Sequence, residues 1–477
     1  MKKQKRKHWF KIKYLFILIA GFALYILIGA VVPFMFQPDV SNKTKEEFGR
    51  KDFYGNSRGQ EKARVIADNE EALKKRIQLI EEAQNSIVFS SFEIHSDISG
   101  KQVMAALKEA AERGVEVRMI ADGFPAILSM QGNEYFRALS ETDNVMIRLY
   151  NPPRILKPWK LMGRLHDKYI IVDDKKYIIG GRNTFDFFLG GQKSHKNYDW
   201  DILVDCEGAE DASVGQLSSY FEKMWTGKDA KPYEKEWFQA GRRKTEAART
   251  ELEELYQTMR QKNPDWFEKD ENDPQMVPVD HIELLSNPIC TGAKEPVVFY
   301  ELTELMKNAE KEVNFHTPYI ISNKWMLSRL KEICDKVENV QMMTNSVANN
   351  GNPFGAMDYY DNKEKILETG VHVKEYDDGI SYHGKCMTVD DDLLALGSFN
   401  WDMRSVYLDT ELMLVVHSEE LTAQLKEEMG RYEENALTVI DVDHSTAPEG
   451  VVPQTIDKKK KTTMNLIRLV KWARFLM

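Results

Sequence analysis

Two histidines and two lysines recur in this chain at identical spacing. His166-Asp-Lys168 opens the stretch HDKYIIVDDKKYIIGGRN, and His383-Gly-Lys385 opens HGKCMTVDDDLLALGSFN. His166 and His383 stand 217 positions apart, as do Lys168 and Lys385, Asp173 and Asp390, and Asn183 and Asn400. Side chains alternate along an extended strand, so a His and a Lys two apart point the same way. An imidazole titrates near neutral pH and serves as nucleophile or as acid and base. A lysine beside it is a cation for an anionic oxygen, and an asparagine is a neutral donor. Two such sets brought together would offer a nucleophile, a general acid and donors for the oxygens of an anionic group. Each copy of the motif supplies half.

The elements around the motifs repeat as well. Tyr169 to Val172 and Cys386 to Val389 are apolar runs suited to buried strands. In the first half ALKKRIQLIEEA, SIVFSSFEI, KQVMAALKEAAERGVEVRMIADG and VMIRLY alternate helix and strand, with Gly114 at a break. In the second, VNFHTPYII, NKWMLSRLKEICDKVENVQMMTNS and VHVKEYD follow in the same order. This rhythm predicts an α/β protein of two similar halves, each a sheet flanked by helices, spanning residues 58–238 and 277–437. The charged segment 239–276 between them reads as a solvated connecting helix.

At 477 residues the chain suits two domains, and 42% apolar with 29% charged residues describes a folded protein. A formal charge of −10 argues against a nucleic-acid footprint over the whole chain. Four cysteines without CxxC spacing indicate neither a zinc site nor a disulfide framework. Basic residues gather at the ends. Residues 1–13 carry seven Lys or Arg and no acid, and residues 14–36 carry no charge over 23 positions, enough to cross a bilayer. The positive-inside rule then puts the N-terminus in the cytoplasm. The tail, 457–477, mixes Lys458 to Lys461, Arg468, Lys471 and Arg474 with apolar and aromatic residues, and reads as an amphipathic helix for an anionic membrane surface.

The paired H-x-K-x4-D boxes, each followed by Gly-Gly-x-Asn or Gly-Ser-x-Asn, resemble the phospholipase D superfamily. Thr317-Pro-Tyr resembles a strand of its bacterial cardiolipin synthase branch. The likeness implies two α/β/α sandwich halves related by a pseudo-twofold axis, no metal or other cofactor, and a site made by both motifs within one monomer. By motif membership the catalytic candidates are His166, Lys168, Asp173, His383, Lys385 and Asp390. The resemblance gives the two aspartates a turn-organising task and makes His166 the nucleophile, with His383 as acid and then base. Asn183, Asn400 and Ser398 are candidate phosphate holders. The first motif has Gly181 where the second has Ser398, so the halves are not equivalent.

Each histidine also needs a partner that fixes its tautomer. Asp201 in YDWDILVD and Glu411 in LDTELMLV answer one another, and each is assigned to the histidine of its own half. His316, beside Thr317, is a candidate substrate-side residue. The membrane span and basic tail favour a phospholipid substrate, with phosphatidylglycerol as the leading candidate. Phosphatidyl transfer to a second lipid giving cardiolipin, hydrolysis to phosphatidate, and metal-independent nucleic-acid cleavage all fit the motifs, in that order of preference.

Overall fold

The computed structural model describes the 477-residue chain apart from residues 1, 56–58, 192–196, 210–211, 234–239 and 269–272, with residues 2–12 described by backbone alone. The expected limits Arg58 and Phe238 of the first half lie outside the described residues.

Each half is built on a nine-stranded mixed sheet. In the first, the strands run from edge to edge as Val277–Pro278, Lys62–Ile66, Asp201–Asp205, Lys176–Gly180, Tyr169–Val172, Ser86–Ser91, Glu116–Asp122, Val145–Tyr150 and Ala230–Pro232. In the second they are His281–Ser286, Leu412–His417, Leu393–Gly397, Cys386–Val389, Glu312–His316, Asn339–Asn345, His372–Tyr376, Leu437–Val439 and Ser445–Thr446. The order repeats strand for strand from Lys62–Ile66 and from His281–Ser286 onwards. In both sheets the motif strand is central, antiparallel to the strand before the first long crossover, which itself heads a parallel trio. A strand between two neighbours is buried on both faces, which is why Tyr169–Val172 and Cys386–Val389 are continuous apolar runs with every residue buried.

Local chemistry sets the helix starts. Asp68, Asp97, Asn323 and Ser418 each accept a hydrogen bond from a first-turn backbone amide. Gly114 ends the first crossover helix at φ +99°, a left-handed conformation that suits a residue without Cβ.

Three assignments change. Val277–Pro278 pairs with Lys62 and Ala63, so the start of the expected second half completes the first sheet. The connecting helix, Arg242–Lys262, is not solvated all round: Thr245, Ala248, Leu252, Tyr256 and Met259 are buried, and the last three join the first core. Their spacing of three and four residues is an amphipathic stripe that the many charges of the segment mask. The tail helix, Lys458–Arg468, docks on the second half. Met464 and Ile467 pack near Met357, Arg468 and Lys471 pair with Asp361 at 2.8 Å, and Arg474 pairs with Asp358 at 2.7 Å. Those three cations are occupied by protein carboxylates, while Leu466, Leu469 and Trp472 stay exposed.

One apolar cluster crosses from half to half, joining Leu165, Trp200 and Tyr220 to Tyr376, Tyr382 and Leu414. The halves therefore share a core, and the two motifs meet across it.

Candidate active site

The backbone brings the motifs together before any side chain does. The short strand Ser381–Tyr382 lies parallel to Asn197–Tyr198, and Leu165 bridges to Thr410. The His383 amide donates to Tyr198 O at 2.7 Å, and the His166 amide donates to Thr410 O at 3.3 Å. Each motif histidine is thus clasped to the opposite half, to the residue just before an acid.

That clasp decides which acid meets which ring. His166 Nδ1 lies 2.9 Å from Glu411 Oε1, and His383 Nδ1 lies 2.6 Å from Asp199 Oδ2. Both pairings cross between halves, so the same-half assignment of Asp201 to His166 and Glu411 to His383 is corrected in both parts. Asp201 has another role. It is fully buried, and its Oδ2 accepts from Arg76 Nη1 at 2.8 Å and from Arg182 Nη1 at 3.0 Å.

The strand register explains the misassignment. Gly180 pairs with Asp201, whereas its counterpart Gly397 pairs with Met413. Likewise the Gly181 amide donates to Trp200 O, and the Ser398 amide to Leu412 O. The structural equivalent of Glu411 is therefore Asp199. A slip of two residues keeps every side chain on its own face of a strand, so the apolar pattern cannot detect it. The signal available in the sequence was the second acid of Asp199-Trp-Asp201.

Alternation also sorts the motif itself. His166 and Lys168 face the site, while Asp167 points away and accepts from Tyr220 Oη at 2.7 Å. In the second motif the middle residue is Gly384, where a Cβ would collide with Trp200 and Tyr382. Trp200 Nε1 donates to Tyr382 Oη at 2.5 Å, and Tyr382 Oη lies 2.7 Å from His316 Nδ1. The other nitrogen of His316 lies 2.8 Å from Glu433. His316 is thus a fully buried member of a network behind the site, and the substrate-side expectation for it is corrected.

The lysines stand with the histidines. Lys385 Nζ donates to Asp199 Oδ2 at 3.2 Å and to the His383 carbonyl, and Lys168 Nζ donates to the His166 carbonyl. Asn183 and Asn400 are buried at equivalent positions, each with an amide oxygen that has no partner among the described residues. Asn400 Nδ2 lies 3.3 Å from Tyr319 Oη, which brings the Thr317-Pro-Tyr segment into the site. Ser398 is placed differently from its phosphate-holding expectation: its hydroxyl donates to Glu411 Oε2 at 2.5 Å, and that of Ser405 to Oε1 at 2.6 Å. Gly181 leaves the matching space empty because a Cβ there would strike the Asp199 carboxylate. Asp173 and Asp390 lie outside the site, at the far ends of the motif strands. Asp173 takes three backbone amides at Gln84, Asn85 and Ser86, and Asp390 takes three at Glu310, Lys311 and Glu312. Both have positive φ and tie off the turn.

Two residues had no signal in spacing or composition. Phe92 packs edge-on against His166 at 5.3 Å between centroids, and Phe188 against His383 at 5.1 Å. Phe188, Pro318, Tyr319, Asn352 and His383 line a cavity of about 310 Å³.

Burial sets the electrostatics. It holds both imidazoles below their ordinary value, with repulsion from the lysines adding to it, and His383 falls to about 4. Lys168 is lowered by burial to about 7. The two acids diverge. Burial raises Glu411 to about 8 against the hydrogen bonds of its two serines. Asp199, beside Lys385 and His383, is held well below the usual carboxylate range although burial opposes this. One orienting acid is therefore a persistent anion and the other is poised near neutrality.

Comparison with known proteins agrees with this architecture. The family described as cardiolipin synthase, PLD-like domain, matches residues 76–225 and 302–432, one motif in each segment. Cardiolipin synthase C of Escherichia coli is 25% identical over 393 residues, covering 74% of this chain and 81% of that protein. Cardiolipin synthase 1 of Staphylococcus epidermidis is 23% identical, covering 76% of this chain and 66% of that protein. An uncharacterized protein of Helicobacter pylori is 25% identical over 459 residues, covering 86% and 88%. In fold, the chain is similar to the crystal structure of phosphatidylserine synthase from Haemophilus influenzae, with a TM-score of 0.64 at 15% identity over 91% of this chain and all of that one. With two halves of the phospholipase D type, and with more than half of its length matched by the family, the chain belongs to the cardiolipin synthase PLD-like domain family.

Proposed function

We propose that this protein transfers a phosphatidyl group through a covalent phosphatidyl-histidine, with phosphatidylglycerol as both donor and acceptor and with cardiolipin and glycerol as products. The observation that carries the reading is the exchange of orienting acids. Each imidazole is held by a carboxylate of the other half, so a working pair exists only where both motifs converge.

His166 Nε2 attacks phosphorus once Glu411 is ionised and accepts the hydrogen bond of Nδ1–H, the tautomer that leaves the Nε2 lone pair free. The bond from phosphorus to the headgroup oxygen breaks, and His383 donates its proton to the departing glycerol. A phosphodiester anion entering beside Lys168 and Lys385 offsets the repulsion that those cations exert on His383. The Asp199 carboxylate then supports the imidazolium. In the second step His383 takes the proton from a hydroxyl of the incoming lipid, whose oxygen attacks phosphorus and breaks the N–P bond. Lys168, Lys385, Asn183 and Asn400 hold the nonbridging oxygens. The aromatic cavity beside His383 favours a lipid acceptor over water.

The span Lys13–Phe34 anchors the enzyme, with the N-terminus cytoplasmic by its charge. Since both motifs lie in one chain, the monomer carries a whole site.

The test uses purified full-length protein and phosphatidylglycerol labelled in the headgroup and in the phosphate. Cardiolipin with free glycerol, and a phosphate adduct mapping to His166, is the expected result. Phosphatidate as the product makes water the acceptor and overturns the transferase reading. Full turnover in His166→Ala overturns the assignment of the nucleophile.

A further inference from the structure

The largest helix of the chain, Lys2–Val31, leans on a loop that leads towards the first motif. Tyr25 Oη donates to Leu156 O at 2.9 Å, and at Gly29 a Cβ would collide with Pro158. Tyr25 lies six residues from the helix's C-terminal end at Val31, or roughly 9 Å along its axis. The loop therefore flanks a segment that belongs within the hydrocarbon if the helix crosses a bilayer, and the inference rests on that part of the proposed function. The loop is built for such a place. Ile155, Leu156 and Trp159 are 61%, 71% and 44% exposed, a cluster that none of the described residues covers.

Behind this apolar tip the same loop turns basic. Arg154, Lys157, Lys160, Lys228 and Lys231 line a cavity of about 200 Å³ in which Asp229 is the carboxylate among the described residues. Asp229 is engaged by Lys160 at 2.5 Å. Among the described residues Lys157, Lys228 and Lys231 have no carboxylate partner, in a chain that is acidic overall. None of these residues lines the cavity at His383. A tip that wants hydrocarbon and a cationic hollow just behind it match the two ends of an anionic phospholipid.

We propose that the loop 154–160 inserts into the bilayer beside the transmembrane helix, and that the pocket of Lys157, Lys228 and Lys231 seats the phosphate headgroup of an anionic phospholipid at a site separate from the catalytic cleft. The lipid bound there is not turned over. It fixes the body against the membrane surface through the chain segment that continues into His166.

Two readouts test this, neither depending on turnover. Full-length protein carrying Leu156→Cys, in a Cys290→Ser, Cys334→Ser background, is labelled with an environment-sensitive fluorophore. It is reconstituted in nanodiscs of equal dioleoylphosphatidylglycerol and dioleoylphosphatidylcholine. Doxyl-labelled acyl chains are expected to quench this label at least threefold more than one at Glu246→Cys on the exposed face of the connecting helix; equal quenching overturns insertion. Native mass spectrometry of His166→Ala protein in detergent then counts retained phosphatidylglycerol. The double substitution Lys157→Gln, Lys231→Gln is expected to lower the count by one, while phosphatidylcholine is not retained. An unchanged count overturns the headgroup site, as does displacement of the lipid by millimolar inorganic phosphate. Cardiolipin formation with an unquenched label refutes this inference alone. Quenching and retention without any cardiolipin formation refute the catalytic proposal alone.

Discussion

Asp199 and Asp201 are two residues apart, both fully buried, and do opposite jobs, so amide substitutions at the two should fail in opposite ways. Asp201 lies between the Arg76 and Arg182 guanidiniums at 2.8 and 3.0 Å. Asp201→Asn leaves two buried cations without their counter-charge, and a guanidinium cannot shed its proton to escape. Breaking a buried ion pair from one side costs roughly 3–5 kcal/mol. At about 2–4 °C per kcal/mol for a unit of about 150–250 residues, and less for two halves that share a core, the melting transition should fall by several degrees, short of the roughly 20 °C limit for an isolated half. Turnover per folded molecule should change little, because Asp201 touches neither imidazole. Asp199→Asn differs on both counts. Its cationic neighbour is Lys385, which burial already pulls below the ordinary lysine value and which can release a proton. The side-chain oxygen of the new amide can still accept from Lys385. The melting point should therefore move less than in Asp201→Asn. Its catalytic cost should be larger: an amide at Nδ1 allows the wrong tautomer, and the equivalent change in a serine-protease triad slows catalysis on the order of 10⁴-fold. The assay pairs circular-dichroism melts with phosphatidylglycerol turnover normalised to folded protein. If Asp201→Asn loses turnover as severely as Asp199→Asn while keeping its melting point, the register argument is wrong.

Four more expectations follow from the same structure. In the proposed mechanism Glu411 must ionise for His166 to attack, and burial raises it to about 8, so turnover should climb with pH from about 6; it should fall again on the alkaline side, because His383 must hold a proton to donate and Lys168, lowered to about 7, must stay charged to hold the phosphate. Ser398→Ala removes a hydroxyl that holds Glu411 down, and should move that rising limb to higher pH; a downward shift would contradict it. Glu411→Gln, in the second half, should slow formation of the adduct on His166, in the first, on the order of 10³-fold or more, read by rapid-quench trapping. Full adduct formation in that variant would refute the crossed pairing. Asp358→Asn with Asp361→Asn should release the tail from its three cationic contacts. Trypsin should then cut at Arg468, Lys471 or Arg474 several-fold faster than in the wild type, and an unchanged rate would mean that Met464 and Ile467 alone hold it.

Much of this protein was determined by sequence alone. The repeat of His166-x-Lys168 as His383-x-Lys385 pointed to the family and to the chemistry proposed for it, because few residue types can attack phosphorus, protonate an alkoxide and hold its oxygens. The apolar runs after each lysine declared central strands, and the crossover helices declared themselves by periodicity. These are local properties, written in spacing. What needed the tertiary structure was everything set by contact between distant segments. The choice of Asp199 over Asp201 turned on a two-residue register that a period-two pattern leaves blind. The crossing of Glu411 to His166 depended on how the halves dock, through amides at His166 and His383 that have no sequence signature. The connecting helix and the tail were masked by their charges, since a cation that finds Asp361 looks in the sequence the same as one that faces a membrane. Chemistry follows from residue type, and residue type is in the sequence; partnership follows from which surfaces bury one another, and only the folded chain decides that.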